Sequence, residues 1–553
     1  MQKYSEFLAQ NDKINLRDLS WTLSHRRGTF PLRTSVYGST AQELSERLLA
    51  RAKADEKVLT HVQSKILPGK PRVLGIFTGQ GAQWARMGAE LLGHTNVATS
   101  ILNHLDDCLA ELPDGPSWSI RNEILAEGKS SRINEAEISQ PICTAVQILL
   151  VDILLSAGIK FVAVVGHSSG EIGAAYAAGY LSAKDAIRIA YYRGVHLHLA
   201  EGPNGENGAM MAVGTSFKDA QELCQMPELR GRINIAASNS FSNVTLSGDM
   251  DAIEIAQCVL EDEKKFVRLL RVDKAYHSHH MLPCSEAYMK SLVDCRIRVL
   301  RPRSRTTWIS SVYNEDASNY REILKDEYWV NNMVSPVMFS QATETAIAES
   351  GPFDIGIECG PHPALKGPVL QVIQEVLGEQ LPYTGLLSRG KNDNEALAEG
   401  LGYLWQALGD NAVDYGGVSK FLAAPDARVP KMLVNLPSYA WDHDRVYIHE
   451  SRQYAAYRTR PDASHELLGV RFPDGTKEQL RWRNMIRPRE VPWISGHQIQ
   501  GQMVFPAAGY LSSTLSALQF AVEGVEMKLI EIEDFVIGQA MVFDDEYSSV
   551  ETQ

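Results

Sequence analysis

Phe161-Val162-Ala163-Val164-Val165 is an unbroken apolar run that leads directly into Gly166-His167-Ser168-Ser169-Gly170-Glu171. The run reads as a buried strand, and the alanine-rich Ile172 to Leu181 reads as the helix behind it. A serine between two glycines at a strand-to-helix turn is the pattern of a nucleophile elbow. The glycines allow a sharp turn and the close approach of a substrate. The helix start offers unpaired N–H groups and a positive dipole end to a developing oxyanion. A plain βα turn with an N-cap serine carries the same letters. Partners elsewhere in the chain have to decide between the two.

Upstream, Pro68-Gly69-Lys70-Pro71 is a break. Val73 to Phe77 then reads as a second buried strand, entering Thr78-Gly79-Gln80-Gly81-Ala82-Gln83-Trp84. Helical patterns alternate with strands to about residue 390, which predicts an α/β fold with a hydrolase-like parallel-sheet core. One internal segment differs. Gly208 to Val213, Arg232 to Ala237, Asn243 to Ser247 and Phe266 to Val272 read as strands, with helices near Phe217 to Cys224 and Ala252 to Asp262. That order, βαββαβ, predicts an inserted ferredoxin-like subdomain over residues 205–275. Residues 1–70 read as a small mixed unit ending in a charged helix, Ala41 to Lys57. The α/β core then spans 71–390, a helical and motif-poor linker 391–460, and a further unit with strand-like runs 461–553.

A chain of 553 residues is long enough for about two to four domains. Lys and Arg total 54 against 67 Asp and Glu, a net charge of −13, which argues against non-specific nucleic-acid binding. Seven scattered cysteines without a CxxC pair predict reduced thiols in a cytoplasmic protein. The N-terminus has no signal-peptide core. The longest apolar stretch, Ile142 to Leu155, contains Gln147 and Asp152 and is too short to span a bilayer. It reads as a core helix, and no membrane association is expected.

A serine nucleophile needs a base. The candidate is His277, in Asp273-Lys274-Ala275-Tyr276-His277-Ser278-His279-His280-Met281. No cysteine or carboxylate ligand pattern accompanies these histidines, so no metal site is expected. His279 and His280 read as ordinary polar or packing residues. Ser182 can cap a helix from Ala183 to Leu199, with Asp185 three residues on. Ala186, Ala190, Arg193 and Leu197 share one stripe of it. An inward-facing arginine needs an anion. Either it pairs with an internal carboxylate, or its planar fork awaits a substrate carboxylate. Gly79-Gln80-Gly81 lacks the spacing of a phosphate loop. It fits a turn that aims the Gln80 N–H at Ser168, with the Ser169 N–H as second oxyanion donor.

Taken together these residues resemble the malonyl-CoA:acyl-carrier-protein transacylase family, and above all the acyltransferase domain of fungal iterative, reducing type I polyketide synthases. Phe77 to Gln83 resembles the family's first motif, Ile138-Ser139-Gln140-Pro141 its glutamine motif, and Gly166 to Glu171 its GHSxGE. Arg193 falls at its substrate-carboxylate arginine and His277 at its catalytic histidine. Tyr328-Trp329, Pro336-Val337-Met338-Phe339 and Glu358-Cys359-Gly360-Pro361-His362 complete the series. The resemblance implies that Gln140 and Tyr276 line the acyl pocket. An aromatic before the histidine, as in Lys274-Ala275-Tyr276-His277, resembles the malonyl type, while Lys274 departs from the family's patterns.

The resemblance extends outward. Asp18 to Leu23, with Arg26-Arg27, looks like the linker from a ketosynthase. Leu436 to His443 looks like the segment that follows an acyltransferase and wraps back toward the ketosynthase. His497 to Pro506 is HxxxGxxxxP and resembles the N-terminal half of a dehydratase hotdog domain, with His497 as base. The second half is missing, so 461–553 is expected to be a partial α+β hotdog unit unable to dehydrate alone. The chain reads as a piece of a larger synthase or a truncated product.

The implied reaction loads malonyl from malonyl-CoA onto Ser168 and passes it to the phosphopantetheine thiol of an acyl carrier protein. No tightly bound cofactor is implied. The ketosynthase and other synthase domains are the implied partners, within a homodimeric parent. A serine hydrolase or thioesterase would instead carry an acid partner for His277 and no Arg193. A starter-unit acyltransferase would carry a cysteine nucleophile and lack the arginine. A non-catalytic synthase fragment is the third alternative.

Overall fold

The computed structural model describes residues 1–553 except 29, 31, 56–68, 93–96, 273, 303–304, 410–411, 424–426, 446, 461–462, 477 and 523. Glu56 and Lys57 at the end of the expected N-terminal helix, Pro68 of the break, Asp273 four residues before His277, and Pro461 lie outside the described residues. The chain divides into two compact units, Met1–Pro437 and Ser438–Gln553.

In the first unit, helices α1 (Gln2–Gln10), α2 (Leu16–His25) and α3 (Ala41–Asp55) precede strand β1 (Val73–Phe77). Helix α4 (Ala136–Ser156), strand β2 (Phe161–Gly166), α5 (Gly170–Ala178) and α6 (Ala183–Val195) follow. The insertion contributes β3 (Gly208–Val213), α7 (Phe217–Cys224), β4 (Ile233–Ser240), β5 (Asn243–Asp249), α8 (Met250–Asp262) and β6 (Val267–Leu269). Then come β7 (Thr307–Ile309), α9 (Glu327–Val334), β8 (Ile355–Cys359), β9 (Tyr383–Gly385) and α10 (Asp393–Leu408).

Five strands form one parallel sheet in the order β7-β2-β1-β8-β9. All five residues of β1 are buried, as befits a strand covered on both faces. Phe77 is in register with both Gly166 and Cys359, so three strands end level. The loops leaving them open together at the carboxyl edge of the sheet, where parallel sheets place their sites. Helix α4 is the one described helix long and apolar enough to cross a membrane, and 89% of its apolar window is buried within the protein.

The insertion is an antiparallel sheet in the order β4-β5-β3-β6. Val213, Ala220, Leu246, Ile253 and Ala256 are among the residues of its own core. It is stitched to the stretch ahead of Phe339 by Ser238 N–H to Val337 O and Val337 N–H to Ala236 O, each 2.8 Å.

Several boundaries differ from expectation. Among the described residues of the first 70 the regular elements are three helices, α1 to α3; Leu8, Leu19, Ala41 and Leu48 pack there with Leu436, and Arg428 pairs with buried Asp18 at 2.7 Å. The helix after the elbow begins at Gly170 and stops at Ala178, because Gly179 takes φ +84°. Helix α6 ends at Val195 and tightens into a 3-10 turn over His196–Leu199. Strand β6 is shorter than the expected Phe266 to Val272, running only from Val267 to Leu269.

The second unit carries β10 (Val470–Arg471), β11 (Trp482–Ile486), β12 (Gln498–Ile499), β13 (Gln502–Val504), α11 (Ala507–Ala521), β14 (Val542–Phe543) and β15 (Val550–Thr552). They make two three-stranded sheets, β10-β11-β15 and β12-β13-β14. Ile486, Val491, Ile494, Phe505 and Phe543 form its core.

Candidate active site

Strand β2 delivers Ser168 at φ +54°, a left-handed conformation that a serine adopts only when its surroundings impose it. The flanking glycines are needed for close packing and not for positive φ. A Cβ at Gly166 would lie 2.4 Å from the Glu171 backbone, and one at Gly170 would lie 2.2 Å from Phe77 O. Fully buried Glu171 anchors the turn from behind. It accepts from Trp308 Nε1 (2.9 Å), Tyr328 OH (2.6 Å) and the Ser311 N–H (3.0 Å). Asn332 Nδ2, on α9, donates to Ser168 O at 3.1 Å.

His277 Nε2 lies 2.6 Å from Ser168 Oγ. Its Nδ1 faces Ser335 O at 2.9 Å. A carbonyl can only accept, so Nδ1 carries the ring proton and Nε2 presents a lone pair to the hydroxyl. The orienting group is a main-chain carbonyl, where a hydrolase triad would have an acid. Burial, the Arg193 charge and, to a smaller degree, His167 push the His277 pKa down to about 3, against the Ser335 bond. The imidazole is therefore neutral at neutral pH, as a general base must be.

Arg193 is 2% exposed. Its Nη2 is 3.4 Å from Ser168 Oγ, and its Nη1 is buried without a hydrogen-bond partner. Burial lowers its pKa, with Tyr288 and Tyr276 nearby acting in the opposite sense. Among the described residues no carboxylate forms an ion pair with it. Of the two explanations for an inward arginine, the internal carboxylate is the one that finds no support.

The Gln80 N–H donates to Ser169 Oγ at 3.2 Å, and the Ser169 N–H has no acceptor among the described residues. Gln140 Nε2 donates to Gln80 Oε1 at 2.7 Å, while Gln140 Oε1 is buried and unpaired. The Gln80 loop is itself fixed by Glu358, which accepts from Thr78 Oγ1 at 2.9 Å. Tyr276 is half-buried against the main core. Lys274 Nζ caps Ala200 O at 2.8 Å.

His279 and His280 are more than ordinary polar positions. His280 is 1% exposed, and both Nε2 atoms face Asp249 Oδ1, at 3.1 and 2.8 Å. The carboxylate missing from the local sequence arrives from the end of β5. The three side chains offer ligand atoms within 4.8 Å of one another, but these hydrogen bonds and the Arg232 guanidinium, 3.1 Å from Asp249 Oδ2, already satisfy that carboxylate. In the second unit, His497 Nδ1 donates to Val504 O at 2.8 Å.

The geometry is that of an activated serine with a cation beside it, set on a parallel sheet. The acyl transferase domain family matches residues 75–405. The chain belongs to that family. Beyond the acyltransferase, residues 465–553 match the polyketide synthase dehydratase domain and residues 1–48 match the CurL-like, PKS C-terminal family. The chain is 65% identical over its full length to the polyketide synthase-nonribosomal peptide synthetase ffsA of Aspergillus flavipes, and 64% to phmA of Phaeosphaeria nodorum. It spans 14% of the length of each. The acyltransferase domain from module 8 of the salinomycin polyketide synthase superposes with a TM-score of 0.63 at 25% identity, over 75% of this chain and 93% of that one. The acyl transferase domain of ZmaA shares the fold, with a TM-score of 0.64 at 21% identity over 79% and 94% of the two chains. The chain is thus an acyltransferase domain of polyketide-synthase type joined to part of a dehydratase domain.

Three residues that hydrogen-bond Ser168, His277 or the two histidines after it carried little or no signal in the sequence. Asn332 and Ser335 lie between two recognised motifs, Tyr328-Trp329 and Pro336 to Phe339, and that proximity was the only signal. Asp249 carried none, since only the folded insertion brings it to the histidines.

Proposed function

We propose that this acyltransferase loads malonyl from malonyl-CoA onto Ser168 and passes it to the phosphopantetheine thiol of an acyl carrier protein. The observation that carries this reading is Arg193: buried, without a carboxylate partner among the described residues, and 3.4 Å from Ser168 Oγ. A buried guanidinium is stable only once an anion completes it, and a malonyl group bound for attack brings a free carboxylate.

In the forward half-reaction His277 Nε2 takes the Ser168 proton as Oγ attacks the thioester carbonyl. The Gln80 and Ser169 N–H groups receive the oxyanion, each donor contributing about 3 kcal/mol in such sites. For Gln80 this requires the substrate oxygen to displace Ser169 Oγ. The tetrahedral adduct collapses, and the coenzyme A sulfur leaves with the proton held by His277. Arg193 holds the carboxylate throughout and orients the acyl group. Transfer to the carrier thiol runs the same steps in reverse. Gln140 and Tyr276 line the acyl pocket in this reading.

The domain plan follows the same logic. Residues 1–70 link a ketosynthase to the acyltransferase at 71–390, with the insertion at 205–275 as a ferredoxin-like wall. Residues 391–460 form the return linker, and 461–553 the first part of a hotdog dehydratase with His497 as its base. The partners are the carrier, the ketosynthase and a second copy of the parent synthase.

The test is intact-protein mass spectrometry after mixing with malonyl-CoA. A malonyl adduct that disappears in Ser168→Ala is expected. Arg193→Ala should lose malonyl while accepting acetyl better relative to it; equal loss of both acyl groups would remove the carboxylate role.

A further inference from the structure

His277 sits at φ +59°, in the left-handed region that non-glycine residues enter only under constraint. Its backbone is held by what surrounds it. Within the loop, Ser278 Oγ donates to Ala275 O at 2.6 Å and accepts the His280 N–H at 3.2 Å. From outside, Asp249 Oδ1 receives both following imidazoles, His279 at 3.1 Å and His280 at 2.8 Å. Asn234 Oδ1 receives the His279 N–H at 3.3 Å and faces its Nδ1 at 3.0 Å. Asp249 is 4% exposed. It is braced in turn by Arg232, whose Nε approaches Oδ2 at 3.1 Å and whose carbonyl accepts the Asp249 N–H at 2.9 Å.

A buried polar cluster of this kind adds little stability over an apolar plug of equal volume. What an apolar plug does not do is fix the side chains two and three residues after a strained residue. Asp249, Arg232 and Asn234 all belong to the insertion, whose own core makes it a rigid support. The same subdomain holds the residue before the nucleophile, through Asn239 Oδ1 and His167 Nε2 at 2.8 Å.

We propose that Asp249 is a positioning residue for the base, holding His277 in its left-handed conformation by clamping His279 and His280 to the inserted subdomain. This rests on the acyl-transfer reading above. Among the described residues the side-chain hydrogen bonds of Asp249 go to His279, His280 and Arg232 and none goes to Ser168, so its action runs through His277. The insertion is then a scaffold for the base as well as a wall of the pocket.

The test is the rate of Ser168 acylation by malonyl-CoA, followed by rapid quench and intact mass in the full chain, for Asp249→Asn alone and combined with His277→Ala. Asp249→Asn should slow acylation about tenfold, the rate equivalent of releasing one left-handed residue, with the half-saturating malonyl-CoA concentration unchanged. In the His277→Ala background it should cost nothing further. Native acylation by Asp249→Asn, or an equal loss in both backgrounds, would overturn the proposal, because a merely structural role acts with or without the base. Circular dichroism checks the fold; if Asp249→Asn does not fold, His280→Leu is put through the same cycle and decides by the same two outcomes. Failure of the unsubstituted chain to take up malonyl at all would be a different result, removing the acyl-transfer reading and this proposal with it.

Discussion

Ser168 and His277 both occupy left-handed backbone, at φ +54° and +59°, at about 1–2 kcal/mol each. Their side chains meet at 2.6 Å, and Arg193 sets the electrostatics of the pair. Its charge is the second cause, after burial, of the depressed His277 pKa. A free enzyme in this state should show no inflection in kcat/KM for malonyl loading between pH 5 and 8. Arg193→Gln removes the repelling charge, so its inflection should move up toward the ordinary histidine range. Because a bound malonyl carboxylate also offsets that charge, the acid limb of kcat should lie above that of kcat/KM in the native protein. A native kcat/KM limb near the unperturbed histidine value would refute this account. Ser169 gives a second prediction at this scale. Its hydroxyl occupies the Gln80 N–H while its own N–H stays open, so Ser169→Ala should load malonyl at least as fast as the native chain. A large drop would mean that the hydroxyl, and not the backbone, contacts the acyl group.

At the level of elements, Glu171 is the seam between α5, β7 and α9, taking donors from Trp308, Ser311 and Tyr328. Burial pushes its pKa up to about 7, with those donors opposing. A carboxyl raised in the folded state favours folding below its unfolded value near 4.5 and loses that contribution as pH climbs through 7, a change of about 3 kcal/mol. Glu171→Gln removes the titration. Urea unfolding of the native protein should therefore lose stability relative to this variant between pH 5 and 8; parallel profiles would mean that Glu171 is ionised in the fold. Strand β2 and the elbow were legible in the sequence because a continuous apolar run against a Gly-x-Ser-x-Gly turn has few other solutions, and β1 because its apolar run lies between the Pro68 to Pro71 break and Gly79. Arg193 was legible through the helical stripe it shares with Ala186 and Ala190. The Ser335 carbonyl was not, since a main-chain acceptor leaves no mark on residue identity. Asp249 was hidden because its partners are brought to it only by the pairing of β3, β4 and β5.

Across the whole molecule, all the residues proposed for acyl transfer fall within Met1–Pro437, together with the cores that position them. The segments on either side of the catalytic core are part of that unit, with Leu436 packed against Leu8, Leu19 and Leu48 and Tyr4 OH donating to Pro437 O at 3.1 Å. Cutting the chain at residue 390 would strip Leu397, Leu401 and Leu404 of α10 from the main core, whereas cutting after Pro437 removes none of these contacts. The described residues from 438 to 460 are almost all exposed, with one short helix at Arg452–Arg458, and backbone of that kind is where proteases act first. Limited trypsin digestion should therefore cut first among Arg445, Arg452 and Arg458. The released fragment, and a recombinant chain of residues 1–437, should load malonyl at the rate of the full chain, while residues 1–390 should be unstable. Loss of loading in the 1–437 chain, with the full chain active under the same conditions, would show that the acyltransferase depends on the dehydratase-like residues for more than linkage.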